Sequence, residues 1–105
     1  MEQPNLLYIE SMSGGDKIFE RKLIDIIKEE FPKEKEVYFN NINAKNLKLT
    51  AEIVHKLKHK ISILGLEKSY KMAAAFENNL LEGRLELQED FEGILQIMTN
   101  YLKQL

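Results

Sequence analysis

The chain contains no cysteine, which excludes disulfides, thiolate metal sites and cysteine nucleophiles and leaves packing alone to hold a core. No apolar run approaches the roughly 18 residues that a membrane span needs, so no membrane contact is expected. The opening MEQPNLLYIE lacks a basic stretch followed by an apolar one. A secretory signal is therefore not expected, and a cytoplasmic location is. No segment alternates apolar and polar residues with β-branched enrichment, so strands are not expected. Neither a Gly-rich phosphate loop nor Gly-x-Ser-x-Gly occurs, and Gly14-Gly15 stands alone, so the chain is expected to have no ATP site of its own.

What is present suffices for one core. The 105 residues are 44% apolar, which predicts a single domain over residues 1–105. The net charge of -2 conceals an asymmetry, because residues 45–71 hold seven lysines against Glu52 and Glu67. A solvated helix face is the plain explanation of such a stretch, and attraction of an acidic or phosphorylated partner is the functional one. Nucleic acid is not expected, since this stretch has no arginine and the overall charge is negative.

Apolar spacing predicts an all-α chain. A short helix over residues 5–12 ends at Ser13-Gly14-Gly15, and Asp16 is placed as the N-cap of a second helix. Phe19, Leu23, Ile26, Ile27 and Phe31 carry its apolar face, Val37, Tyr38 and Ile42 continue it, and Pro32 should kink or interrupt it. Residues 40–46 read as a loop rich in asparagine cap chemistry. Thr50, Val54, Leu57, Ile61 and Leu64 then form one helical row, and Gly65 serves as a helix end or a point of close backbone approach. Leu66, Ser69, Tyr70, Ala73, Phe76 and Leu80 mark the next helix, with Ala73, Ala74 and Ala75 admitting a neighbour and Gly83 ending it. Phe91, Ile94, Leu95, Met98, Tyr101, Leu102 and Leu105 mark the last. Met72, Met98 and the aromatics are read as core. Four amphipathic helices joined by short loops predict an antiparallel four-helix up-and-down bundle, with the short N-terminal helix as an extra element.

His55 falls beside the buried row. Its neighbours one turn away are Ala51, Glu52, Lys58 and His59, so it should face water or a partner. A resident metal is not expected. Di-iron bundles need Glu-x-x-His on two helices, both histidines lie on one, and a Glu52/His55/His59 set would have an incomplete, exposed shell. Ser62 is too far along the helix for a Ser-His pair. What remains is an accessible imidazole, a competent nucleophile toward phosphorus when neutral, with Lys56, Lys58 and Lys60 nearby to pair with a phosphorylated product. Lys58, at i+3, shares its face.

These residues resemble the histidine-containing phosphotransfer (HPt) domain family. The family pattern His-x-Leu-Lys-Gly, with a glycine ten residues after the histidine, is met by His55, Leu57, Lys58 and Gly65. YIESMSGGDKIFERKLIDIIKEEFP is similar to the family's opening stretch, and LEKSYKMAAAFENNL, with its late acidic Glu77, is similar to the helix after the site. The resemblance covers roughly residues 6–81. It implies that His55 is the phosphoacceptor, that Lys58 stabilises the phosphoryl group electrostatically, and that Gly65 serves packing. His59 departs from the pattern by standing where the family has glycine, a possible modulator of partner approach. On this reading the chain is a phosphorelay intermediate without a cofactor of its own. It takes a phosphoryl group from a response-regulator receiver domain, whose site holds Mg²⁺, in a pathway headed by a hybrid sensor histidine kinase. It would act as a monomer, with Lys56, Lys60 and Ile63 available for docking and Leu66 in the core. The alternative is a non-catalytic helical protein-binding adaptor of the same fold.

Overall fold

The computed structural model describes residues 2–105, and every regular element among them is helical. The elements are α1 (Leu7–Ser13), α2 (Lys17–Asn43), α3 (Leu47–Ile63), α4 (Glu67–Leu81) and α5 (Gln88–Lys103). Each of the five contributes to one apolar core. α3 packs most extensively on α4 and next on α2, while α5 touches α4 and α2, and α1 lies on α2. The long axis of 44 Å is close to the about 40 Å that the 27 residues of α2 span at 1.5 Å per residue.

Asp16 caps α2 as expected, its carboxylate accepting from the backbone N–H groups of Ile18 and Phe19. Two expectations for α2 need correction. Of the kink or interruption expected at Pro32, the interruption does not occur, and the helix continues to Asn43. The missing N–H and the ring clash cost about 3 kcal/mol, but Ile27 and Phe31 before the proline and Tyr38 and Ile42 after it are all buried and hold both halves to one core. For the same reason residues 40–43 are helical rather than loop, and the connection shrinks to residues 44–46. The apolar face is also rotated: Ile24 is in the core, while Phe19, Ile26 and Val37 are exposed. Ile24 and Ile26 project about 200° apart, so one helix cannot bury both against a single core.

Packing in the other helices follows the expected rows. Thr50, Val54, Leu57, Ile61 and Leu64 are buried to zero exposure. Ala73, Phe76 and Leu80 are buried in α4, but Tyr70 is exposed; Met98 is core and Met72 only half-buried against it. Tyr38, Phe76 and Phe91 join α2, α4 and α5, with Tyr38 5.2 Å and Phe76 5.1 Å from Phe91 between ring centres. The Tyr38 hydroxyl donates to Glu92 Oε2 at 2.9 Å, and the same oxygen accepts from Gln88. Burial first, then the Glu92 hydrogen bond and charge, pushes the Tyr38 hydroxyl far above its ordinary range.

The α3–α4 turn positions the rest. Gly65 (φ +77°) follows the helix cap at Leu64, and Gly65 N–H and Leu66 N–H reach back to the carbonyls of Ser62 and Ile61, the paired pattern of a Schellman end. A Cβ here would also meet the Asn5 side chain at 2.5 Å, and Asn5 N–H donates to the Leu64 carbonyl. Gly65 is thus both a helix end and a close approach. The Leu66 side chain has no acceptor to cap α4, and Glu2 does it from near the N-terminus, accepting from Lys68 N–H, Ser69 N–H and the Ser69 hydroxyl.

Two predictions follow from these ends. Burial works against the charged form of Glu2, but the backbone hydrogen bonds of Lys68 and Ser69, the Ser69 hydroxyl and the Lys68 charge outweigh it and hold the carboxyl below its ordinary value. A lowered folded-state value means that the cap is present above the unfolded value and is lost as pH falls through the folded one. Amide exchange at Lys68 and Ser69 should therefore accelerate on acidification, relative to interior amides, and Glu2→Gln should abolish that pH dependence. Lys45, a non-glycine residue at φ 60°, ends α2 in the left-handed region. Lys45→Gly should raise stability by about 0.5–1 kcal/mol in urea unfolding, because the roughly 1–2 kcal/mol of strain relieved exceeds the about 0.4–1 kcal/mol of added chain entropy.

Candidate functional site

His55 projects from the middle of α3 beside the buried row, with 55% of its side chain exposed. Its Nδ1 lies 3.1 Å from Glu77 Oε2 and 3.4 Å from Oε1. An ionised carboxylate only accepts, so this contact places a ring proton on Nδ1; in the neutral imidazole the Nε2 lone pair is then left unused. Nε2 has no hydrogen-bond partner among the described residues. The same carboxylate takes Lys58 Nζ at 2.9 Å on Oε1. Lys58 and Glu77 are largely covered, at 13% and 17% side-chain exposure, so their charge-assisted contact is less screened than a surface pair. The Lys58 ammonium also stands 5.6 Å from the centre of the Tyr70 ring, within cation–π range.

Glu77 reaches this position because α4 lies close on α3. Ala73, four residues earlier on the same face, is fully buried and keeps that face thin. Phe76 anchors the adjoining position in the aromatic core. His59, one turn beyond His55, is exposed. Its ring centre is 5.2 Å from that of His55, with the planes at 89°.

The residues singled out from the sequence divide accordingly. His55, Lys58 and His59 come together, and Glu77 joins them as the shared partner that residue spacing on α3 alone did not reveal. Tyr70, read as core, instead lies under Lys58. The signal for both was their placement on the Ala73 face of α4. Lys56 is exposed, and Ile63 is half-buried against the core. Lys60, expected to be available for docking, is not: it is 8% exposed, with Nζ 2.9 Å from Glu30 Oε1 and 3.1 Å from both oxygens of Glu34. Its place next to Ile61 in the buried arc of α3 turns the ammonium inward toward α2. The hydrogen bond from Lys60, and then its charge, holds the Glu30 carboxyl below its ordinary value. Among the described residues, no three histidine, aspartate or glutamate side chains converge as a metal site. No helix among them is long and apolar enough to cross a membrane.

Comparison of the chain with family models, curated proteins and solved structures gives no match.

Lys60 is accordingly a stability residue. Lys60→Ala strands the Glu34 carboxylate, one of whose oxygens is buried without a well-aligned donor. The expected loss is about 1–3 kcal/mol in urea unfolding, the range for an unsatisfied polar group that keeps some solvent access.

Proposed function

We propose that this chain is a phosphorelay carrier of the HPt type, in which His55 accepts a phosphoryl group from a receiver-domain aspartate and passes it to a second receiver. The observation that carries the reading is the single carboxylate of Glu77. It holds His55 Nδ1 and Lys58 together while Nε2 stays open on an exposed ring. With the HPt reading goes an arrangement of α2 to α5 as an antiparallel four-helix up-and-down bundle with α1 added. The neighbour pattern supports it, because α2–α3, α3–α4, α4–α5 and α5–α2 contacts close a ring.

The chemistry needs little from this chain. His55 Nε2 attacks phosphorus in line, the N–P bond forms, and the P–O bond to the aspartyl group breaks, its electron pair leaving with the aspartate carboxylate. The imidazole gains positive character as the bond forms, and Glu77 stabilises it through Nδ1–H. Lys58 brings a cation within reach of the phosphoryl oxygens, though it must share itself between them and Glu77. Mg²⁺ belongs to the receiver's acidic site. Return of the group to another aspartate reverses each step. Lys56 remains on the accessible side of α3 for docking, Ile63 contributes at its edge, and Lys60 does not.

Incubation with phosphorylated receiver domains should transfer acid-labile, base-stable phosphate to the wild-type chain. His55→Gln should abolish the label. Glu77→Gln should slow transfer by at least about tenfold, because ring orientation and charge stabilisation are lost together. Absence of label across a panel of receivers would sink the carrier reading in favour of a non-catalytic helical adaptor, and label surviving in His55→Gln would sink the site.

A further inference from the structure

The pair His55 and His59 has a second chemical capacity that does not depend on phosphoryl transfer. Two imidazoles at i and i+4 share one helix face, and both rings here are exposed. Zinc binds imidazole nitrogen at about 2.0–2.1 Å. A metal held tetrahedrally by two rings therefore sets their centres about 5 Å apart, and the rings of His55 and His59 are already 5.2 Å apart, with perpendicular planes. His59 takes part in no hydrogen bond or ion pair among the described residues, so its ring can turn to aim a nitrogen at the cost only of its edge-to-face contact with His55.

A second observation points the same way. Histidines that ligate metals commonly give the other ring N–H to a carboxylate, which fixes the tautomer and raises ligand basicity. Glu77 stands in that position toward His55, 3.1 Å from Nδ1, leaving Nε2 as the ligand atom. The lysine that would most repel a cation, Lys58, is paired with the same carboxylate at 2.9 Å. Lys60, which follows His59, is turned inward onto Glu30 and Glu34. Of the three lysines around the histidines, only Lys56 leaves an unpaired charge on the accessible side.

We infer that His55 Nε2 and a ring nitrogen of His59 form a bidentate site for a borderline divalent transition metal, zinc being the probe ion, with water filling the remaining positions and Glu77 orienting His55 from behind. With two protein ligands the site is open and exchangeable rather than a resident cofactor centre. If His55 also carries the phosphoryl group as proposed above, metal and phosphoryl compete for one nitrogen.

Zinc chloride titrated into the full chain, followed by calorimetry and by imidazole C–H chemical shifts, tests the site directly. The expected result is one zinc per chain with both histidine rings shifted, and no response to magnesium, a hard ion that prefers oxygen ligands. His59→Ala should weaken binding at least about tenfold, and Glu77→Gln by about ten- to a hundredfold. Both histidines are exposed, so circular dichroism should show the His59→Ala chain folded. Zinc that shifts neither ring at millimolar concentration, or that binds His59→Ala as tightly as wild type, overturns the inference. Neither readout uses phosphate, so the result stands apart from the outcome of the receiver assay.

Discussion

The turn at Gly65 is the constraint from which the site follows. Positive φ favours glycine there, and the Asn5 side chain lies where a Cβ would project. The turn fixes the register of α3 against α4. His55 is ten residues before Gly65 and Glu77 twelve after it, about 15 Å and about 18 Å along the two helices. Helices folded back about this turn bring those residues level, and thin packing at Ala73 closes the gap to a hydrogen bond. The strap formed by residues 2–5 secures the same turn from outside, through Asn5 on α3 and Glu2 on α4. A contact between residues 22 positions apart thus rests on one backbone conformation.

Charge at the site is organised by pairing rather than by sum. Residues 45–71 carry a large lysine excess, yet Lys58 and Lys60 are each committed to carboxylates from another helix. The two commitments differ in kind. Lys60 is turned into the protein and held by two glutamates, which makes it part of the α2–α3 interface. Lys58 shares its one carboxylate with the exposed His55 imidazole, so the two side chains have one partner between them. Two lysines two residues apart on one helix therefore serve separate ends, because a step of about 200° carries the side chain to the opposite face.

Much of this was legible in the sequence, and the failures have physical causes. The buried row of α3, the Asp16 cap, the helix end at Gly65 and the exposure of His55 follow from spacing and local chemistry, which act within a turn or two. Proline at 32 and asparagines at 40–43 carry real local penalties, but buried Tyr38 and Ile42 outweigh them, and tertiary burial is not a local property. Phe19, Ile26 and Val37 were apolar at plausible spacing, so only the angle at which α2 meets the core could discard them. Glu77 was visible as a late acid on α4 but its partners were not, since they depend on helix register. Lys60 stands among solvent-facing lysines in the sequence, and nothing on α3 announces that Glu30 and Glu34 wait opposite it.

The shared carboxylate gives the site a property that no single residue has. Glu77 balances one fixed cation, Lys58, against a ring whose charge depends on what occupies Nε2. An anionic group placed there draws Lys58 outward by Coulomb attraction and leaves Glu77 more fully to Nδ1–H. A metal cation placed there raises the positive charge on the ring and draws Glu77 the same way, but it repels Lys58 instead of attracting it. In both cases the Nδ1–Glu77 contact strengthens, and the position of the lysine distinguishes the two ligands. Tyr70 bears on that difference, because its ring face beneath the ammonium favours the lysine's resting position and opposes its departure. On the two proposed readings, Lys58 is the element that discriminates between occupants, while Glu77 sets the direction in which His55 meets either of them.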